Sequence, residues 1–170
     1  MSMVRKFEGA LLLLLRVALG GLFLYAAWVK LHDHKAAQDF ADSIKGFRLL
    51  DESGDHLVML ATFAVPWIEA LAGAFLVLGL WSRGSAAVLL LNLAAFSGAI
   101  YSVLARGIST KCGCFGKFSP FCPEEITNCN LVQNAVLGGI ALLLLLRGGG
   151  LLALDGRPPA KAKGAGNGAG

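Results

Sequence analysis

All four cysteines of the chain fall in the stretch KCGCFGKFSPFCPEEITNCN, residues 111–130, between two long apolar runs. Cys112 and Cys114 are separated by one residue, Cys114 and Cys122 by seven, and Cys122 and Cys129 by six. The C-x-x-C-H attachment of a c-type haem is absent, and the spacing does not give the two short clips common in zinc sites. An iron–sulfur cluster fits it poorly as well, so no metal site is expected. In an oxidising compartment four cysteines form two disulfides, with three pairings open. Two inert bridges would staple the loop. Cys112 and Cys114 point to a second reading, because a bridge between them closes a very small ring that is readily reduced. Gly113 and Gly116 permit the bend, and Lys111 and Lys117 favour the reactive thiolate. On that reading Cys112 and Cys114 are the catalytic thiol–disulfide pair, and Cys122 with Cys129 form a structural bridge or a shuttle pair.

A second group of candidates is polar and lies within apolar sequence. Glu69 sits in FAVPWIEALAG, where an ionised carboxylate at mid-membrane costs about 2.5 kcal/mol or more. It must pair, lose its charge or face the bundle interior. Arg16 and Lys30 are the available cations. Counted from the ends of the apolar runs at about 1.5 Å per residue, Arg16 lies about 8 Å deeper than Glu69, within reach of a long side chain. Lys30 lies further off toward the outer surface, so Arg16 is the expected partner. The pair either fixes helix register or serves a proton relay or a quinone contact. Pro66 removes a backbone donor three residues before Glu69. Asn92 and Asn134 are expected to hydrogen-bond between helices. Ala70, Gly73, Ala74 and Gly98 would let helix backbones approach closely.

The elements that position these groups follow from composition. Of 170 residues, 56% are hydrophobic and only 15% charged; the mean hydropathy is +0.66. A soluble chain carries about a quarter charged residues. Four apolar segments, about 10–29, 57–80, 85–104 and 131–146, approach the roughly 20 residues needed to cross a bilayer. In lipid such runs satisfy their own backbone as helices. The expected fold is an all-α, four-transmembrane-helix bundle over residues 1–146, the short last span recruiting flanking residues. Arg5 and Lys6 before a leucine run resemble a signal peptide. No clean A-x-A-like site follows and Arg16 interrupts the run, so a retained anchor is expected. In HKAAQDFADSIKGFRLL, Ala36, Phe40, Ile44 and Phe47 recur at helical spacing, predicting a short amphipathic helix in the outer interface. It would serve as a lid on the bundle, or as a surface for a partner or quinone. Residues 147–170, rich in Gly, Ala, Pro and Lys, are expected to lack structure of their own.

Four spans put both termini on one side. That side carries Arg5, Lys6, Arg16, Arg83, Arg147, Arg157, Lys161 and Lys163, against Lys30, Lys35, Lys45, Arg48, Arg106, Lys111 and Lys117 on the other. Eight against seven is a narrow margin for the positive-inside rule. With the basic tail cytoplasmic, the cysteine loop faces the periplasm of a bacterial inner membrane. A pI near 9.0 then reflects the cytoplasmic face and tail rather than a nucleic-acid surface. A transporter often shows broken helices in matched positions, and here only Pro66 hints at a break.

Taken together, WVKLHD (Lys30, Leu31), PWIEALAG (Pro66, Glu69, Gly73), CGCFG (Cys112–Gly116) and QN (Gln133, Asn134) resemble the MauE branch of the DoxX-like membrane proteins over residues 10–146. The resemblance implies a four-helix protein of redox maturation that works with a thioredoxin-like or other periplasmic redox partner. In the methylamine-utilisation family that work is disulfide formation in the small subunit of methylamine dehydrogenase. The outline is also similar to the quinone-linked vitamin K epoxide reductase type, but the C-x-x-C centre of those proteins is missing, which leaves a quinone cofactor open. The alternative is a non-catalytic accessory subunit of a larger membrane electron-transfer complex, with structural disulfides in its outer loop.

Overall fold

The computed structural model describes residues 2–46, 55–107, 122 and 125–148. They contain five helices: α1 Ser2–His32, α2 His34–Gly46, α3 Asp55–Leu78, α4 Ser82–Ala105 and α5 Asn128–Arg147. Four are long and apolar enough to cross a membrane, over Phe7–His32, Val58–Leu78, Ser82–Ala105 and Asn128–Arg147. The chain is an all-α, multi-pass membrane protein. Its outer surface agrees, since Leu14, Trp28, Met59, Phe63, Leu91, Tyr101 and Leu146 are all exposed. A soluble monomer does not show so continuous an apolar face to water.

The helix limits have local causes. Asp33 ends α1 and starts α2: its N–H donates to the Val29 carbonyl at 3.0 Å, and its Oδ1 accepts from the Lys35 N–H at 2.9 Å. That is an N-cap, satisfying a backbone donor that the first turn of a helix leaves free. The third helix stops two residues before the end of its apolar run because Gly79 adopts a φ of +74°. Gly79 N–H donates to the Leu76 carbonyl at 3.2 Å and Leu80 N–H to Phe75 at 2.9 Å, the paired bonds of a Schellman cap. The last span does recruit flanking residues, starting at Asn128 rather than 131. The Thr127 N–H donates to Asn130 Oδ1 at 2.9 Å there.

The membrane helices form a ring in the order α1, α3, α4, α5, with α1 packed chiefly on α3 and α4 chiefly on α5. Leu19, Phe23, Leu76, Leu89, Leu93 and Leu144 fill its middle. The closest approach is between α1 and α3. A Cβ added to Gly73 would lie 2.9 Å from the Gly20 carbonyl oxygen, and one added to Gly20 would lie 2.8 Å from that of Gly73. Gly73 therefore meets a backbone, as expected. Gly98 does not, because a Cβ there would find nothing within 4 Å among the described residues.

One end of the ring, where α1 and α4 begin and α3 and α5 finish, is held by arginines. Arg83 donates to the carbonyls of Leu145 at 3.1 Å and Leu146 at 3.0 Å, capping α5. Arg147 reaches Glu8 at 3.4 Å. The other end carries α2, which packs on α1 and α3 with Ala36, Phe40 and Ser43 buried. The amphipathic helix is a lid, with Phe40 as its deepest anchor. Phe47, the Cys112–Cys114 stretch and the tail beyond 148 lie outside the described residues.

Candidate functional site

Beneath that lid lies a buried charged cluster drawn from four helices. Lys30, on the last turn of α1, donates to both oxygens of Glu69 on α3, at 2.8 Å to Oε2 and 3.1 Å to Oε1. Asn92 on α4 donates from Nδ2 to Oε1 at 3.1 Å. Lys30 and Glu69 are only 3% and 2% exposed. The ammonium also lies 4.6 Å from the centre of the Phe40 ring and 5.7 Å from that of Phe96. These are cation–π distances, which strengthen in a desolvated setting. Phe40 and Phe96 are themselves tilted against each other at 5.9 Å. The ion pair thus closes the ring at its lid end, and α2 supplies the roof that separates it from the aqueous interface.

This arrangement corrects the expected pairing, in which Arg16 approached Glu69 and Lys30 lay too far away. Gly20 sits against Gly73 and Val77, and the Arg16 guanidinium against Gly79, where an added Cβ would meet Nη1 at 2.7 Å. Relative to a register set by matching the ends of the apolar runs, α1 is displaced along α3 by about five residues, or roughly 7 Å. The shift lowers Lys30 into reach of Glu69. It carries Arg16 to the C-terminal end of α3, where the helix dipole is negative and a cation is stabilising.

The cysteine loop is described at one bridge. Cys122 and Cys129 are disulfide-bonded, with their Cα atoms 5.7 Å apart. Cys122 is buried, and Cys129 lies in the first turn of α5. Ile126, between them, packs against Ala99 and Val103 of α4. The bridge therefore fastens the end of the loop to the lid end of the α4–α5 pair. Cys112 and Cys114 lie outside the described residues. One turn into α5, Asn134 donates from Nδ2 to the Ser97 hydroxyl at 3.4 Å, and Ser97 donates to the Leu93 carbonyl at 2.7 Å. Gln133 Oε1 is buried and accepts no hydrogen bond among the described residues.

Glu69, Lys30 and Asn92 converge, whereas Arg16 and Asn134 belong to other contacts. Sequence reasoning did not find Gly20, Phe96 or Ser97. The spacing of Phe40 makes it an apolar anchor of α2 and carries no sign of its place over an ammonium. Nothing in a linear pattern signals an aromatic that lies on a charge from a different helix. Chemically, the cluster is a carboxylate with three donated hydrogen bonds, held away from water. It can fix helix register, and it can exchange a proton if the lid opens.

A family model described as methylamine utilisation protein MauE matches residues 8–147. No curated protein and no solved structure matches the chain.

Proposed function

The chain belongs to the MauE family, and from that premise we propose that it is an inner-membrane thiol–disulfide exchange protein whose working pair is Cys112 and Cys114. The observation that carries this reading is the Cys122–Cys129 bridge. Of the three pairings open to four cysteines, only one contains that bridge, and it leaves Cys112 and Cys114 to each other or to a partner. The first pair has the small ring and the flanking lysines suited to a labile bond, and the second is anchored to α5. The partner is a thioredoxin-like or other periplasmic redox protein. The Cys112–Cys114 disulfide accepts two electrons from the partner's dithiol through a mixed disulfide, passing the oxidising equivalent outward.

Acid-quenched thiol trapping with mass spectrometry, in cells maturing the substrate, tests the proposal. Cys112 and Cys114 are expected to cycle between thiol and disulfide while Cys122 and Cys129 stay bridged. A Cys112→Ser or Cys114→Ser variant is expected to lose partner oxidation, and its remaining thiolate to be trapped as a mixed disulfide by attacking the disulfide of added oxidised partner, which releases one partner thiol. Full maturation by both variants, with both bridges inert, would instead establish the accessory-subunit role.

A further inference from the structure

A groove of about 620 Å³ opens sideways between α2 and the lid-end half of α3, lined by Ala41, Lys45, His56, Met59, Thr62 and Phe63 among others. Met59 and Phe63 are 75% and 69% exposed, on the surface that faces lipid, so the groove is entered from the bilayer. Its walls are apolar, and its rim carries two side chains able to donate hydrogen bonds, the Lys45 ammonium and the His56 imidazole. From its floor a polar line runs inward. Thr62, Pro66 and Glu69 share one face of α3 at four- and three-residue steps. Pro66 has no N–H to give the Thr62 carbonyl, which is freed from the helix ladder. Over those seven residues the line descends about 10 Å to the Lys30–Glu69 pair.

We propose that this groove binds a lipid-soluble quinone. The ring carbonyls would accept hydrogen bonds from Lys45 and His56, and the tail would lie along Met59 and Phe63 into the bilayer. The inference rests on the thiol–disulfide reading in one respect. Re-forming the Cys112–Cys114 bond from two thiols releases two electrons and two protons, which are the electrons and protons that convert a quinone to its quinol. The groove's charge favours a neutral head over a phosphate. Asp42 lies one turn before Lys45 on α2 and is exposed, so an acid stands beside the basic rim. The inward line has a use for a ligand that takes up protons and none for a phospholipid.

The test is photolabelling of the full chain in phosphatidylcholine nanodiscs with an azido-benzoquinone carrying a decyl tail, mapped by mass spectrometry. Labels are expected on α2 near Lys45 and on α3 between His56 and Phe63, and unlabelled decyl-quinone should displace them. The rim variant Lys45→Met with His56→Leu should weaken labelling at least about tenfold, as the loss of both rim hydrogen bonds implies, and Ala41→Trp, which fills the groove, should remove displaceable labelling. Leu91→Trp, on the lipid face of α4, should not. The Cys112→Ser/Cys114→Ser protein should label normally, so an inert thiol pair would refute the exchange reading and leave the site standing. Labels spread evenly over the lipid-facing surface, or displaced by phosphatidylglycerol and not by quinone, would overturn the site whatever the cysteines do.

Discussion

Removing Lys30 leaves the Glu69 carboxylate buried, with the Asn92 amide as its remaining hydrogen-bond donor among the described contacts. Removing Glu69 leaves an ammonium beneath two aromatic rings. Either change strands a charge where solvation is poor, and breaking a buried pair in this way costs about 3–5 kcal/mol. Replacing both partners by apolar side chains of similar size removes the desolvation burden together with the attraction. Lys30→Met and Glu69→Leu should therefore each destabilise the detergent-solubilised protein strongly, while the double variant recovers most of the loss. Denaturant-induced unfolding followed by tryptophan fluorescence measures this directly. The same double variant separates the two roles of the cluster. If the pair only sets register, partner oxidation returns with stability. If Glu69 also handles protons, the stable double variant stays inactive.

At the scale of the elements, two glycines set the register that brings those side chains together. Gly20 and Gly73 meet backbone to backbone, and a methyl on either would press a carbonyl oxygen closer than ordinary contact allows. Gly73→Ala should destabilise the bundle by about 1–3 kcal/mol, as overpacking does. Gly98→Ala enters open space and should be neutral or stabilising by up to about 1 kcal/mol through helix propensity. Thermal unfolding in one detergent compares them; equal effects would deny that the α1–α3 contact governs register. The helices themselves were legible in the sequence, because an apolar run of this length has one way to satisfy its backbone in lipid. Their mutual depth was not. Hydropathy ends the first run at Val29 and so leaves Lys30 outside the membrane. Yet Phe40, folded over it from α2, extends the apolar volume past that point. The spacing of Ala36 and Phe40 revealed a lid but not which charge it covers.

For the whole molecule, the basic residues do two jobs. Two helix C-termini, of α3 and α5, converge at the end where α1 begins, and Arg16 and Arg83 lie on those negative dipole ends. Their presence there follows from the fold whichever way the bundle is inserted, so a tally of Lys and Arg overstates the orientation signal. Set aside together with Lys30, which is buried in its own ion pair, they leave six basic residues on each side, so the tally by itself gives no orientation. The expectation that α2, its groove and the cysteine loop face the oxidising side rests instead on the Cys122–Cys129 bridge, which persists in an oxidising compartment. In a Cys112→Ser/Cys114→Ser background, with Cys122 and Cys129 bridged, a single new thiol reports the side on which it sits. Lys35→Cys, at the start of the lid, should react with a membrane-impermeant maleimide in intact spheroplasts. Trp81→Cys, in the exposed α3–α4 turn, should react only after permeabilisation. The opposite result would place the loop in a reducing compartment, where the Cys122–Cys129 bridge would not persist and Cys112 with Cys114 could not pass oxidising equivalents to a periplasmic partner.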